Sequence, residues 1–377
     1  MMNVGVAGIG LTPFGRFPDR SLIDLGASAV RAALVDAEIP PDAIDTAYVA
    51  NALGGILFGD TAIGQPLLRR VGITGIPVVN VENACTSGST ALWLAWNAVV
   101  AGQVETALVI GAEKMCVPQM RLIDSGRSEI DTQLGLVAPA SFAMRAMRHM
   151  HVFGTTARQM ASVVAKSRQA GALNPGALFR RLETIEDVLA APMIATPLTR
   201  SQCCPNADGA AAIVLTARRG GRSIGVDTVV LTSGRYINDA DMVRWDTDKR
   251  TAALAYEKAG IGAAEIQVVE CHDAFSIGEI LHCEALGLCP EGEGGRLAES
   301  GATALGGSIP VNPSGGLLSR GHPIAATSIA QICELVAQLR GEAGPRQVER
   351  ARVGLAQCMG GDLAGDTKSC TIAVLSN

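Results

Sequence analysis

Residues 36–51, DAEIPPDAIDTAYVAN, and residues 258–273, KAGIGAAEIQVVECHD, carry one pattern twice. Each follows an amphipathic helical stretch, beginning near Ser21 in the first copy and near Lys249 in the second. Ala37 and Ala259, Ile39 and Ile261, and Ile44 and Ile266 all stand 222 positions apart. Three matches among common apolar residues carry little alone, but the shared order of strand, helix, tight turn and buried strand carries more. A glycine-rich stretch follows each copy, NALGGILFGD in the first and NPSGGLLSRGHP in the second. Then come a helix, from about Cys85 to Val100 and from about Ile324 to Leu339, and a short buried strand, TALVIGA (106–112) and ARVGLAQC (351–358). The expectation is an α/β protein of two similar halves, 1–220 and 221–377, packed against one another. Between Met115 and about Thr199 the period turns helical, broken at Asn174-Pro175-Gly176, and has no counterpart in the second half. This stretch, about 115–199, reads as a mostly helical insertion long enough to be functional.

With 377 residues the chain can bury a sizeable core in each half. No apolar run approaches the roughly 20 residues of a membrane-spanning helix, so no membrane insertion is expected. The N-terminal MMNVGVAGIGLTPFGRF lacks a basic start and reads as a first strand and turn rather than a signal peptide. TIAVLSN at the other end carries no peroxisomal address. The ten cysteines are scattered rather than set in a compact framework, which suits reduced thiols and a cytoplasmic location. A net charge of −5 with 3% aromatic residues argues against nucleic acid as a partner. Cys271, His272, His282, Cys283 and Cys289 cluster in sequence, but there is no C-x-x-C pair and the intervals are irregular, so no metal site is expected. Gly8 and Gly10 fail the dinucleotide fingerprint because Pro13 takes the third glycine position. No permanently bound cofactor is expected.

Four separated stretches carry chemistry. Cys85, in VENACTSGSTAL, sits where a strand gives way to a helix, whose unpaired N–H groups and dipole favour a thiolate and a lowered pKa; the alternative is a buried structural cysteine. His322 lies between Gly321 and Pro323 at the start of the matching second-half helix, either as a base within reach of Cys85 or as a helix-capping or surface residue. His272, Asp273, Ala274 and Phe275 follow a buried strand from Gln267 to Cys271, and ends of strands are where α/β proteins place their chemistry. Cys358 stands at another strand end, before a turn where the N–H groups of Gly360 and Gly361 can hold an oxyanion.

Taken together, NACTSGS, HDAF, GHP and the C-x-G of Cys358-Met359-Gly360 resemble, in order and spacing, the motifs of the thiolase family, and the resemblance runs from end to end. CPNADGAAAIVL (204–215) is similar to the family's link after its insertion. His272, where many thiolases carry Asn, and NPSGGLLSRGHP resemble the sterol-carrier-protein-type branch. The resemblance implies duplicated α/β halves in a five-layer αβαβα arrangement, and an acyl-CoA C-acyltransferase that cleaves 3-oxoacyl-CoA with coenzyme A or runs the reverse condensation. Cys85 would take the acyl group and His322 would activate it. Cys358 would move the α-proton, the N–H groups of Cys85 and Gly360 would hold the tetrahedral intermediate, and His322 with His272 would polarise the thioester oxygen. Coenzyme A and acyl-CoA are then substrates.

The resemblance also sets the insertion over the coenzyme A site and puts Phe153 in the acyl pocket with Ala274 and Phe275. Met144, Met147 and Met150 read as an adaptable acyl wall or as ordinary core. Arg158, Arg180, Arg181 and Arg200 are the candidates for the coenzyme A phosphates. Ala325 and Ser328 stand where the family usually has Gly, which bears on pocket size. A homodimer or dimer of dimers is implied, with a small partner protein as a further possibility. Two rival readings remain: a decarboxylating ketosynthase-type enzyme, which needs no second cysteine, and a thiolase-like scaffold subunit of an acyltransferase or aldolase complex.

Overall fold

The computed structural model describes residues 4–120, 126, 128–217, 220–235, 241–363 and 365–377. Residues 1–3 of the expected first strand segment and residues 121–125 and 127 of the expected insertion lie outside these. In chain order the elements are β1 (Gly5–Leu11), α1 (Leu22–Asp36), β2 (Thr46–Ala50), α2 (Gly54–Leu57), α3 (Gly64–Arg69), β3 (Val78–Val81), α4 (Ser87–Val100) and β4 (Thr106–Glu113). There follow α5 (Ile130–Gln133), α6 (Ala138–Phe153), α7 (Ala157–Leu173), α8 (Ile185–Ala190), β5 (Met193–Ala195), β6 (Leu198–Thr199) and β7 (Gly209–Thr216). The remainder are β8 (Ile224–Ser233), α9 (Asp246–Ala259), β9 (Val268–Glu270), α10 (Ser276–Ala285), α11 (Gly294–Glu299), α12 (Gly316–Arg320), α13 (Ile324–Arg340), β10 (Val353–Leu363) and β11 (Asp366–Ser376).

Nine strands form one sheet in the order β3-β2-β4-β7-β1-β8-β11-β10-β9. Outward from the central β1–β8 pair, the two sides repeat one another. β1 and β8 each neighbour an antiparallel strand, β7 and β11, followed by β4 and β10, then by β2 and β9, which run parallel to them. β2 and β9 are the strands of the duplicated sequence pattern. Among the described residues β1 and β8 pair in register at Gly5 with Gly225 and Val6 with Ile224. On the second side the position of β3 is held by a single parallel bridge between Val269 and Val311.

The glycine-rich stretches paired by sequence order are not equivalent. NALGGILFGD lies between β2 and α3, ahead of β3, whereas NPSGGLLSRGHP follows Val311 and leads into α13.

Helices α4 and α13 pack against each other and against strands of both halves, so they form a central layer between the two parts of the sheet. α1 and α3 cover the outer face of the first part, α9 and α10 that of the second, which gives the five layers. α13 is buried almost all round, including its polar Thr327, Gln331, Glu334 and Gln338. Its small side chains permit close approach: a Cβ on Gly88 of α4 or on Gly111 of β4 would collide with the carbonyl oxygen of Ala325 in the first turn of α13. This contact fixes the starts of α4 and α13 beside each other.

The segment between β4 and β7 is mostly helical, with the β5–β6 hairpin as an addition. α7 is started by a capping box of Thr156 and Gln159. α6 and α7 lie on α10, α11 and α12, with Phe142, Met160, Trp245, Phe275 and Leu317 in a shared apolar cluster. Among the described residues no helix is long and apolar enough to cross a membrane.

Candidate active site

Cys85 sits in the turn from β3 to α4. Ala84 before it has φ +48, a left-handed conformation that a non-glycine residue adopts at a cost and that clusters at functional sites. The turn is anchored across the molecule: Thr86 Oγ1 donates to the Asn83 carbonyl (2.7 Å) and lies 2.6 Å from Ser369 Oγ of β11. The Cys85 sulfur, a ring nitrogen of His272 and a ring nitrogen of His322 all lie within 4.8 Å of one another.

The proton positions on His322 follow from its partners. Thr327 Oγ1 donates its single proton to the Pro323 carbonyl (3.0 Å) and lies 2.8 Å from His322 Nδ1. Nδ1 therefore carries a proton, and Nε2 keeps the lone pair that a general base needs. Burial, helped by the charge of Arg320, lowers the His322 pKa to about 3, so the ring is neutral.

The thiolate expected at the helix start is not the resting form. Cys85 is part-exposed to the cavity, yet protein surrounds it, and that desolvation pushes its thiol up to about 12. The Gly361 and Cys85 N–H groups favour the anion, while the carboxylates of Glu113 and Glu82 oppose it. Burial outweighs the helix terminus, so the resting pair is a neutral thiol beside a neutral imidazole.

His272 Nδ1 is 3.4 Å from the Cys358 sulfur, whose thiol also lies 3.2 Å from the Cys85 carbonyl oxygen. Burial lifts the Cys358 thiol well above its ordinary value and holds His272 well below, the latter also through His322 and His282. Cys358 is inside β10, not at its end, and the strand runs on to Leu363. Gly361 interrupts the ladder with φ +72, which favours glycine, and its N–H serves the Cys85 sulfur. Gly360, the expected donor, pairs in register with Ser369, and a Cβ there would come within 2.6 Å of Thr86 Oγ1.

These groups open into a cavity of about 730 Å³, within the range of small-molecule sites. Cys85, His272, His322, Ala274, Phe275, Met359 and Gly361 line it, and the Phe142 ring from the insertion stacks on Phe275 at 4.4 Å.

Several expectations are corrected. Phe153 does not line the cavity; it packs against the His149 ring (4.9 Å) and against Gly292. Met144 and Met147 are 44% and 49% exposed, neither core nor cavity wall, and Met150 packs at the edge of the apolar cluster. Arg158 is engaged with Glu186 and Glu299, and of the four named arginines only Arg200 lines the cavity. Ala325 and Ser328 are buried off the cavity, so they do not narrow it. His282 lies between Asp248 and the His272 carbonyl, and Cys271 pairs with Asn312.

Arg16 and Arg168 also line the cavity and were not anticipated. Nor was Glu113, which is fully buried at the end of β4 and accepts from the N–H groups of Ala52, Leu53 and Ala325. Burial pushes its pKa up to about 7. The signal was in the sequence: a lone carboxylate ending an otherwise apolar buried strand.

Two family models match the chain, "Thiolase, N-terminal domain" over residues 4–173 and "Thiolase C-terminal domain-like" over residues 230–376. The chain is 39% identical to an acetyl-CoA acetyltransferase of Methanothermobacter thermautotrophicus, covering 96% of this chain and 97% of that protein. It is 38% identical to sterol carrier protein 2 of Homo sapiens, over 96% of this chain and 70% of that protein. The solved structure of an Ltp2-ChsH2(DUF35) aldolase shares the fold, with a TM-score of 0.84 at 24% identity over 99% of this chain and 97% of that one.

Proposed function

The chain belongs to the thiolase family, and on that footing we propose that it cleaves 3-oxoacyl-CoA with coenzyme A, or runs the reverse condensation, through an acyl group held on Cys85. The observation that carries this reading is the convergence of Cys85, His322 and His272 within 4.8 Å, with Cys358 against His272.

In the cleavage direction His322 Nε2 takes the Cys85 proton as the sulfur attacks the 3-oxo carbon. The Gly361 and Cys85 N–H groups, with Gly360 fixing the strand beside them, receive the oxyanion. Collapse breaks the bond between C2 and C3 and leaves its electron pair on the departing acetyl-CoA as an enolate, whose oxygen faces His272 and His322. Cys358 gives its proton to C2, releasing acetyl-CoA. The Cys358 thiolate then takes the proton of the coenzyme A thiol as that sulfur attacks the acyl-Cys85, and the departing Cys85 sulfur recovers its proton from His322, which restores both cysteines and the neutral imidazole. A neutral pair suits this sequence, because the thiolate is made only as the carbonyl arrives and spends no time exposed. Acyl-CoA and coenzyme A act as substrates, and no resident cofactor takes part in these steps.

Arg16 and Arg200, both exposed and both lining the cavity, are the residues placed to meet the coenzyme A phosphates. Arg168 is engaged with Ser319 and Glu183. Ten unpaired cysteines suit a reducing, cytoplasmic setting. A homodimer or dimer of dimers is proposed from β3, which ends the sheet of described residues with one neighbour, and from the exposed Val79 on it. The likeness to an aldolase whose name includes a DUF35 component supports a partner protein as a further possibility. The division into halves near residue 220 is proposed on the same footing.

The test is intact-protein and peptide mass spectrometry after mixing with acetyl-CoA or acetoacetyl-CoA. An acetyl adduct on Cys85, absent in Cys85→Ala and slow to form in His322→Asn, is expected. An adduct on another cysteine would contradict the assignment.

A further inference from the structure

Behind His272 lies a closed circuit of hydrogen bonds that the reaction scheme does not use. The His272 N–H donates to Gln357 Oε1 (3.0 Å), and Gln357 Nε2 donates to Asp248 Oδ2 (2.9 Å). His282 Nδ1 meets the same Asp248 oxygen at 2.6 Å, and His282 Nε2 meets the His272 carbonyl oxygen at 3.1 Å. Asp248, His282 and Gln357 are wholly buried, and His272 is nearly so. Both backbone groups of His272 are thus fastened through two side chains to one carboxylate.

The partners present restrict where the protons of this circuit can sit. Both ring nitrogens of His282 face oxygen acceptors, and the peptide carbonyl has no proton to offer. The Gln357 amide is oriented by the His272 N–H, so it too presents a donor to Asp248. A carboxylate receiving two donors at Oδ2 and an imidazole giving two satisfies each of these contacts, while Asp248 Oδ1 is buried with no hydrogen-bond partner among the described residues. The remaining neighbours agree. The Trp245 ring lies 4.5 Å from the His282 ring, a placement that favours a cation, and Arg145 is engaged with Trp245 at 5.2 Å. Cys370 and Asp366 of β11 and Cys358 of β10 are the titratable groups that feel the Asp248 charge, and the His272 ring is the one that feels His282.

We propose that His282 is a buried imidazolium paired with the Asp248 carboxylate, and that with Gln357 this pair positions His272 against Cys358 for α-proton transfer. The inference rests on the thiolase reading of the site and deepens it. Asp248 and His282 are positioning residues: they touch the His272 backbone directly or through Gln357 and lie off the reacting atoms. A buried ion pair is costly to keep for stability alone; here it locks the one backbone unit whose ring must reach both the Cys358 sulfur and the enolate oxygen. The cation also disfavours a positive charge on the His272 ring, which keeps that ring neutral beside the Cys358 thiol.

The test has two arms. In ¹⁵N-labelled wild-type protein, with only five histidines to assign, both ring nitrogens of His282 should carry protons at pH 7, and these signals should vanish in His282→Gln. One protonated nitrogen at pH 7 would overturn the charged pair. In the second arm, Asp248→Asn and His282→Gln are compared with wild type in two half-reactions. Loss of deuterium from [²H₃]acetyl-CoA should slow at least about tenfold, while acetylation of Cys85 changes by no more than about threefold. Equal losses in both half-reactions, or no loss in either, would overturn the positioning role. If wild-type protein neither acetylates Cys85 nor exchanges deuterium, the thiolase reading itself fails and the spectroscopic arm alone judges the pair. Should a variant not fold, the wild-type spectrum still decides its charge state.

Discussion

Cys85 and His322 rest as a neutral pair, and two measurable consequences belong to these residues. With the thiol at about 12, alkylation of Cys85 by iodoacetamide, followed by peptide mapping, should rise about tenfold per pH unit through pH 10 without levelling. A plateau near pH 7 would mean a stable thiolate. His322 contributes a pH-dependent stability. Its folded pKa of about 3 lies below the ordinary 6.5, so the folded state binds fewer protons between these values. Its contribution is complete above pH 6.5 and is lost as pH falls through that window. Between pH 7 and pH 5 the loss should be about 2 kcal/mol by urea unfolding, and His322→Asn should lack it. Glu113, raised to about 7, acts in the opposite sense and loses its contribution as pH rises, so the difference between wild type and variant is the quantity to read. The positions of Cys85, His322 and Cys358 could be read in the sequence because each stands in a short motif beside a recognisable helix or strand. Their charge states could not, because desolvation depends on residues far away in the chain.

At the scale of elements, the site exists because α13 begins against α4 and β4. Gly111 has no room for a side chain where it faces the Ala325 carbonyl. Gly111→Ala is expected to destabilise the protein by about 2–4 kcal/mol in chemical denaturation and to slow acetylation of Cys85, since relief requires α13 to move and His322 moves with it. A change below about 0.5 kcal/mol would show that the close approach is not a constraint. The repeated helix–turn–strand pattern was legible because apolar periodicity reports it directly. Two things were hidden. The second-half counterpart of β3 is reduced to the bridge at Val311, too short for any pattern. α10 is buried along its whole length yet carries Glu279, His282 and Glu284. These pair with Lys166, Asp248 and His149, so their burial depends on partners that periodicity cannot see.

Across the whole molecule, the cavity lies where the insertion meets both halves. Phe142 arrives from the insertion, Cys85 from the first half, and Phe275, His272 and His322 from the second. The halves are tied at the opposite edge as well, where Arg340 at the end of α13 reaches the Asp36 carboxylate (2.7 Å) and the Ala7 carbonyl (2.9 Å). The site was legible as four motifs, but the cavity wall was not: the local segment points to Phe153, whereas Phe142 faces Phe275 only once the insertion has folded over α10. The central claim is that Cys85 and Cys358 act in turn on one substrate. It is tested most directly by chromatography and mass spectrometry of the products formed from acetoacetyl-CoA and free coenzyme A by wild-type protein, Cys85→Ala and Cys358→Ala. Acetyl-CoA from wild type, with a loss of at least about 10²-fold in either variant, is the expected result. Acetyl-CoA formed at undiminished rate by Cys358→Ala would contradict it, because the α-proton would then have another source.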